Sequence, residues 1–449
     1  MTRQYDLFAV TAHGLAGLCA AELGQIGVTG RTETGGVSWR GPAASMYQAN
    51  LHIRTASRVI ARVGEFRARG FAELERHAAK LPWQDFLRPG ATVVLRVTCR
   101  KSKLYHEGAV AERIARVLSD KAGVTVLGTN ADDDDADADA TDAVATDPAA
   151  TDADATDTAA TDAAAMKAAT HAAATDPAAA VISSSAQLII VRFMRDVCTI
   201  SMDSSGTLLH QRGYRQALAK APLRETIAAA LLLASGWRGD SPLIDPLCGS
   251  GTIPIEAALL ARRIAPGIAN ADLSPRAFAF ENWPGFDRAL FDDLVRSARG
   301  RVRPANAAIV AADRDAGAIS AARSNAERAG VAGDIDFMRA PLEDLTAVAG
   351  TGHVVTNPPY GVRVGDRRQL RSLYATLGRV AGTRLPGWTV TLLAADDGLA
   401  AATGLPLAEV LATRNGGIPV RLLTTAADAG HAVRRGADSA SAHSAADRV

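Results

Sequence analysis

Long hydrophobic runs are absent from this sequence, cysteine is scarce, and aromatic residues make up only 5% of the chain. No apolar stretch reaches the ~20 residues that a bilayer-crossing helix needs. The first residues alternate, Tyr5, Leu7 and Ala9 against Asp6, Phe8 and Val10, in the manner of a strand rather than a secretory leader. The four cysteines, Cys19, Cys99, Cys198 and Cys248, stand far apart. With no CxxC pair and no neighbouring His pair, they offer neither a zinc-site spacing nor a disulfide framework. Scattered thiols of this kind belong to buried, reduced positions. The expectation is a soluble, cytoplasmic protein with no metal and no membrane partner.

A net charge of one sign is also nearly absent: 49 basic residues face 48 acidic ones, for a formal charge of +1. That balance hides a segregation. Between Ala131 and Ala180 there are thirteen Asp, no Glu and no Arg, with Lys167 the one basic residue. The remainder holds 48 basic against 35 acidic residues, with Arg far outnumbering Lys. Such an excess fits a polyanionic partner such as RNA. A compositional bias toward Arg and Ala accounts for it equally well.

At 449 residues the chain can form two or three domains, each with its own core. Residues 1 to about 60 read as strand, helix, strand, with Leu15, Leu18, Cys19 and Leu23 at helical spacing between strands at 5–12 and 37–40. A second unit has a strand at 91–97, a helix at 108–118, and strands at 187–193 and 196–202 that pair around Met194-Arg195. Inside it lies an Ala/Thr/Asp stretch at about 129–180. It has almost nothing to bury, cannot repay its ordering entropy, and reads as a disordered acidic insertion. From about Gly206, helices at 222–234, 253–264, 316–329 and 370–381 alternate with strands at 242–244, 308–311, 335–338, 353–356 and 388–394, the last being the final strand. That alternation predicts an α/β fold with a doubly wound, mostly parallel sheet, which binds ligands at the carboxyl ends of its strands.

Two motifs sit at that edge. In Asp245-Pro246-Leu247-Cys248-Gly249-Ser250-Gly251-Thr252, Asp245 closes a strand and the glycines precede a helix, so backbone N–H groups at the helix start face a bound molecule. Gly249 and Gly251 are expected to let the backbone approach a ligand where a Cβ would collide. No lysine follows Gly251, which excludes a triphosphate loop, and two glycines do not make a dinucleotide fingerprint. Asp313, at the end of the next strand, is placed to accept hydrogen bonds from ribose hydroxyls. Asp315 competes for that role or caps the helix that begins at Ala316.

The second motif, Asn357-Pro358-Pro359-Tyr360, follows Val354 and Val355. An exocyclic amine or amide nitrogen is a poor nucleophile because its lone pair is delocalised. The Asn357 side-chain oxygen and the Pro358 carbonyl can accept both N–H bonds and aim the lone pair at a methyl sulfonium. The two prolines stiffen the acceptors, and Tyr360 offers a ring face to a planar substrate. An ordinary Asn-Pro-Pro turn after a strand is the bland alternative. Together with the glycine loop, the motif points to methyl transfer from S-adenosylmethionine to nitrogen.

The chain resembles the THUMP-domain class I RNA methyltransferases, most closely the 23S rRNA guanine-N2 methyltransferases of the RlmKL family. The residues that carry the likeness are His13-Gly14-Leu15 with Glu22-Leu23, Gly35-Gly36-Val37, Arg212-Gly213-Tyr214-Arg215, Ala221-Pro222-Leu223-Arg224-Glu225-Thr226, the loop from Asp245 to Thr252, Phe280-Glu281-Asn282-Trp283, and the run from Asn357 to Arg363. The resemblance implies an α+β ferredoxin-like segment (1–60) and an RNA-binding THUMP domain (61–205). A Rossmann-like methyltransferase domain (206–430) and a disordered tail (431–449) would follow. It implies that Asp245, Pro246, Cys248, Gly249, Ser250, Gly251 and Thr252 line S-adenosylmethionine and that Asp313 holds its ribose. Asn357 and Pro358 would then bind the target amine and Tyr360 would stack on a base swung out of its helix. Relatives often carry an Asp after the third strand, near the adenine ring. Here the run is Arg339-Ala340-Pro341-Leu342, and Asp344, beside Glu343, is the nearest candidate. Arg363 and a basic group of Arg54, Arg58, Arg62, Arg67 and Arg69 would grip phosphate, or line a solvated helix face. The second methyltransferase half of the fused relatives is expected to be missing. The rival acceptors are guanine in tRNA, adenine N6 and a protein glutamine amide; the rival class is a non-catalytic RNA-binding assembly factor.

Overall fold

Tyr5, Leu7, Ala9 and Thr11 all turn inward from β1 (Gln4–Thr11), the two-residue period of a half-buried strand. β1 pairs antiparallel with β3 (Gly36–Pro42) and β4 (Ala56–Arg67), and β2 (Arg31–Glu33) lines the far side of β3. Helices α1 (Ala16–Gln25) and α2 (Ala43–His52) accompany them. The computed structural model describes residues 3–129, 186–216, 223–345, 350–360 and 367–425. The bulk of the acidic insertion, the 431–449 tail, Pro222 and Arg363 lie outside the described residues.

The first sixty residues thus hold more than strand, helix, strand: β2, α2 and the start of β4 were not expected. β4 carries the chain across residue 60 and pairs with β8 (Val197–Asp203). Past it come α3 (Phe71–Ala78), β5 (Thr92–Arg100), α4 (Glu107–Ala122), β6 (Thr125–Thr129) and β7 (Gln187–Met194). One eight-stranded sheet results, in the order β2-β3-β1-β4-β8-β7-β5-β6. β7 and β8 form the expected hairpin, turning at Arg195 and Asp196.

The remaining strands are β9 (Leu243–Asp245), β10 (Ile309–Asp313), β11 (Asp336–Arg339), β12 (His353–Thr356), β13 (Thr389–Ala394), β14 (Ala408–Asn415) and β15 (Ile418–Thr424). They form a seven-stranded sheet in the order β11-β10-β9-β12-β13-β15-β14. The sheet is parallel from β11 to β13, and β15 and β14 add an antiparallel edge. β13 is therefore not the last strand, contrary to expectation. The helices are α5 (Glu225–Ala234), α6 (Thr252–Ala261), α7 (Arg288–Gly300), α8 (Ala316–Arg328), α9 (Arg367–Arg384) and α10 (Asp397–Ala402). After β9 the chain runs outward through β10 and β11, then returns to place β12 on the other flank of β9. The crevice at the carboxyl ends of β9 and β12 is the switch point where such sheets bind ligands.

Aromatic rings and a buried ion network join the two sheets. Tyr47 of α2 stacks on Phe280 at 4.4 Å between centroids. Trp283 donates its Nε1–H to Gln187 Oε1 at 2.9 Å and meets Phe86 edge-on at 5.1 Å. The Phe280–Trp283 run is thus a clasp between sheets rather than a wall of the crevice. Arg54 lies 3.6 Å from Glu256 of α6, and Arg58 pairs with Asp203 at 2.6 Å. Both arginines are buried. This corrects their reading as phosphate grips: both are largely buried in ion pairs, and neither lies on a helix face. Arg62 is tied to Glu33 at 3.1 Å, while Arg67 and Arg69 remain at the surface, Arg69 paired with Asp196.

Candidate active site

β9 ends on Asp245, and the carboxylate there is fully buried. Asp245 Oδ1 accepts the hydroxyl of Thr356 at 2.7 Å and the Leu247 N–H at 3.2 Å. Thr356 is the last residue of β12, so this bond ties the roots of both motif loops together across the switch point. Burial, with Asp313 nearby, pushes the Asp245 carboxyl up to about 7.

Beyond Asp245 the loop is pinned to its neighbours. Pro246 is buried, and the Cys248 N–H donates to the Ala312 carbonyl of β10 at 3.0 Å. Burial pushes the Cys248 thiol upward, so it is an unreactive lining group. Gly249 adopts φ +53° and donates its N–H to Asp313 Oδ2 at 3.0 Å. A Cβ on Gly249 would meet no atom within 4 Å, so the loop is open on that side. Gly251 differs from expectation: at φ +83°, a Cβ there would come within 2.8 Å of the Ala322 Cβ on α8. The close approach of α8 is what requires glycine at this position. Ser250 is buried, its carbonyl accepts from Asn325 Nδ2 at 3.0 Å, and Thr252 begins α6.

Asp313 takes the Gly249 N–H on one oxygen and the Asp315 N–H, at 2.9 Å, on the other. Each oxygen retains a lone pair for a hydroxyl. Asp315 is the cap of α8, accepting from Gly317 N at 2.7 Å, the capping alternative read from the sequence. Asp344 is exposed on a short turn after β11.

After β12 the Asn357 side chain turns inward, and its Oδ1 is buried with no hydrogen-bond partner among the described residues. Pro358 is buried beside it. The half-buried Tyr360 accepts a 2.9 Å bond on its hydroxyl from Asn415 Nδ2 of β14, and burial raises its phenol. Thr356 and Asn415 escaped the sequence reading. Thr356 was legible only as the end of an apolar run. Asn415 is flagged by Asn415-Gly416-Gly417, a two-residue hairpin signal between alternating runs.

The residues present fit a nucleoside-bearing cofactor: an open glycine flank, a carboxylate with spare lone pairs at the second strand, and a buried acid between the loops. Asp245 also carries a stability consequence. Its folded carboxyl titrates near 7 against about 4 in an unfolded chain, so the folded state holds the proton more tightly. The group therefore favours folding below about pH 4, and the benefit is lost as pH rises toward 7. Asp245→Asn keeps the volume and both accepted bonds but cannot ionise. Without ligand at pH 8, the variant is expected to be more stable by an amount on the order of 4 kcal/mol at most. The gap should shrink toward pH 5 in urea titrations of the two proteins. A gap that does not change with pH would rule out the raised carboxyl.

Comparison with known proteins places this geometry in context. Residues 212–423 match the family described as RMKL-like, methyltransferase domain, and residues 6–60 match the RlmL ferredoxin-like domain. A Synechocystis sp. protein named "Putative RNA methyltransferase" is 31% identical over 424 residues, covering 94% of this chain and 96% of its own length. The ribosomal RNA large subunit methyltransferase K/L of Syntrophotalea carbinolica is 32% identical over 437 residues, again 94% of this chain but 54% of its own length. The chain therefore spans about half of that relative. Among solved structures, SMU.472, described as "a putative methyltransferase complexed with SAH", superposes with a TM-score of 0.74 at 27% identity, covering 94% of this chain and 98% of its own.

Proposed function

The chain belongs to the RlmKL-like methyltransferase family, and from that premise we propose that it methylates the exocyclic N2 amine of a guanine in 23S rRNA. It is an S-adenosylmethionine-dependent RNA methyltransferase; the guanine and its nitrogen are the finer reading. The observation that carries it is the buried, unpartnered Oδ1 of Asn357 beside the Asp245 loop. A buried acceptor without a donor costs free energy, and such a cost persists where a ligand supplies the donor.

When bound, S-adenosylmethionine supplies a methyl group activated by its sulfonium. The chain's residues do the rest. Asn357 Oδ1 and the Pro358 carbonyl accept the two amine N–H bonds, which directs the nitrogen lone pair along one line. The nitrogen gains positive charge as it is alkylated, so both acceptors bind more strongly in the transition state than before it. Tyr360 supports the flipped base by its ring face. Asp313 takes the ribose hydroxyls, and the Gly249 flank leaves room for the nucleoside. Residues 1–60 and 61–205 are assigned to RNA capture and 206–430 to the transfer.

The test is incubation of the protein with labelled S-adenosylmethionine and either 23S rRNA lacking modification or bulk tRNA, followed by nucleoside analysis. Label in N2-methylguanosine from 23S rRNA is expected. Label in tRNA alone, or in N6-methyladenosine, would overturn the guanine-in-rRNA assignment.

A further inference from the structure

The phenol of Tyr360 is not free in the crevice. It is held at 2.9 Å by Asn415, which is only 8% exposed at the inner face of β14. Around this pair lie polar atoms with no partner among the described residues. The Oδ1 of Asn415, the hydroxyl of Thr413 two residues back on the same face, and the hydroxyl of Tyr374 on α9 are all buried and unpartnered among the described residues. The phenol of Tyr374 is raised first by burial and next by Tyr360, which sets the two side chains close together. A polar wall of this kind, left unsatisfied in the folded chain, belongs beside a ligand rather than in a core.

We propose that Asn415 is a positioning residue that sets the plane of Tyr360 for the incoming base; the proposal rests on the reading that Tyr360 stacks on that base. A tyrosine anchored only at its Cα swings about two torsions. A second anchor at the para oxygen fixes the ring plane before the substrate arrives. Stacking on an aromatic face is worth about 1–3 kcal/mol per base, and preorganisation decides how much of it appears as affinity. Asn415 is itself held by the sheet. Gly416 and Gly417 take φ +56° and +82°, closing a two-residue turn that pairs Asn415 with Ile418. The antiparallel edge of the sheet thereby acquires a role: it carries the brace for the base-stacking ring.

Asn415→Ala, Tyr360→Phe and the double variant are compared in steady-state methylation of rRNA, with affinity for S-adenosylmethionine as the control for folding. Asn415→Ala is expected to lower kcat/KM for RNA about tenfold, chiefly through KM, with cofactor affinity unchanged. Added to Tyr360→Phe, which lacks the anchored oxygen, the same change should cost less than about twofold, because the brace then has nothing to hold. Equal losses in both backgrounds, or none in either, would overturn the proposal. Asn357→Ala separates the two readings: full activity there refutes the amine-binding site without touching Asn415. A second readout needs no turnover. In protein labelled with 3-fluorotyrosine, the Tyr360 fluorine resonance, one of six and assigned through Tyr360→Phe, should narrow and shift when Asn415 becomes alanine. An unchanged resonance would equally overturn the proposal.

Discussion

Asn357→Ala is expected to lower kcat for RNA methylation by about a hundred- to a thousandfold, the range seen when one preorganised transition-state partner is removed. Affinity for S-adenosylmethionine should hardly move, since the role proposed for the side chain is toward the acceptor amine. The stability of the variant is the more telling measurement. A buried acceptor with no donor contributes nothing favourable to the folded chain. Asn357→Ala should therefore leave the urea midpoint unchanged or raise it, even as activity collapses. A residue that lowers stability and activity together is holding up the loop; one that lowers activity alone is touching substrate. Asn357→Asp, which keeps an acceptor at the same place, should retain more activity than alanine. If the alanine variant methylates RNA at the natural rate, the amine-binding role is wrong.

What the sequence made legible was the part of the fold set by local patterning. The strands ending on Asp245, Asp313 and Thr356 show as short apolar runs before polar loops, and their partner helices show as 3.6-residue periods. The sequence alone thus sets both loops at the sheet's carboxyl edge. What stayed hidden depends on distant contacts. Arg54 and Arg58 read as surface cations because nothing near them in the chain announces Glu256 or Asp203, some 200 and 145 positions away. Gly251 and Gly249 look alike in sequence, yet only the approach of Ala322 distinguishes a packing glycine from an open one. β14 alternates buried and exposed residues over its second half, but its strand character rests on pairing with β15 after Gly416-Gly417. The Tyr360–Asn415 bond follows from that pairing, so it could not be read without it.

Glu256→Ala is expected to be the most destabilising change outside the crevice. Glu256 is fully buried on α6, the helix that the glycine loop starts. It lies 3.0 Å from Arg212 and 3.6 Å from Arg54, and accepts the Tyr214 hydroxyl at 3.0 Å. Arg212 and Tyr214 belong to the Arg-Gly-Tyr-Arg run that follows the eight-stranded sheet, and Arg54 lies within the residues that build that sheet. One carboxylate therefore neutralises two guanidiniums brought from different parts of the chain. Removing it leaves both buried cations without this partner, which costs about 3–5 kcal/mol where one member of a buried pair is deleted. Against a typical folding free energy of about 5–15 kcal/mol, that is enough to unfold a large share of the protein at modest urea. Glu22 remains near Arg54, so Arg212 bears most of the loss. Glu256→Gln keeps the volume and one acceptor, and should lose less. Because the network spans both sheets, the midpoint should fall for probes in each, namely Trp39 in the first and Trp388 just ahead of β13 in the second. A drop confined to Trp388 fluorescence would mean that the sheets unfold independently and that this carboxylate stabilises only its own.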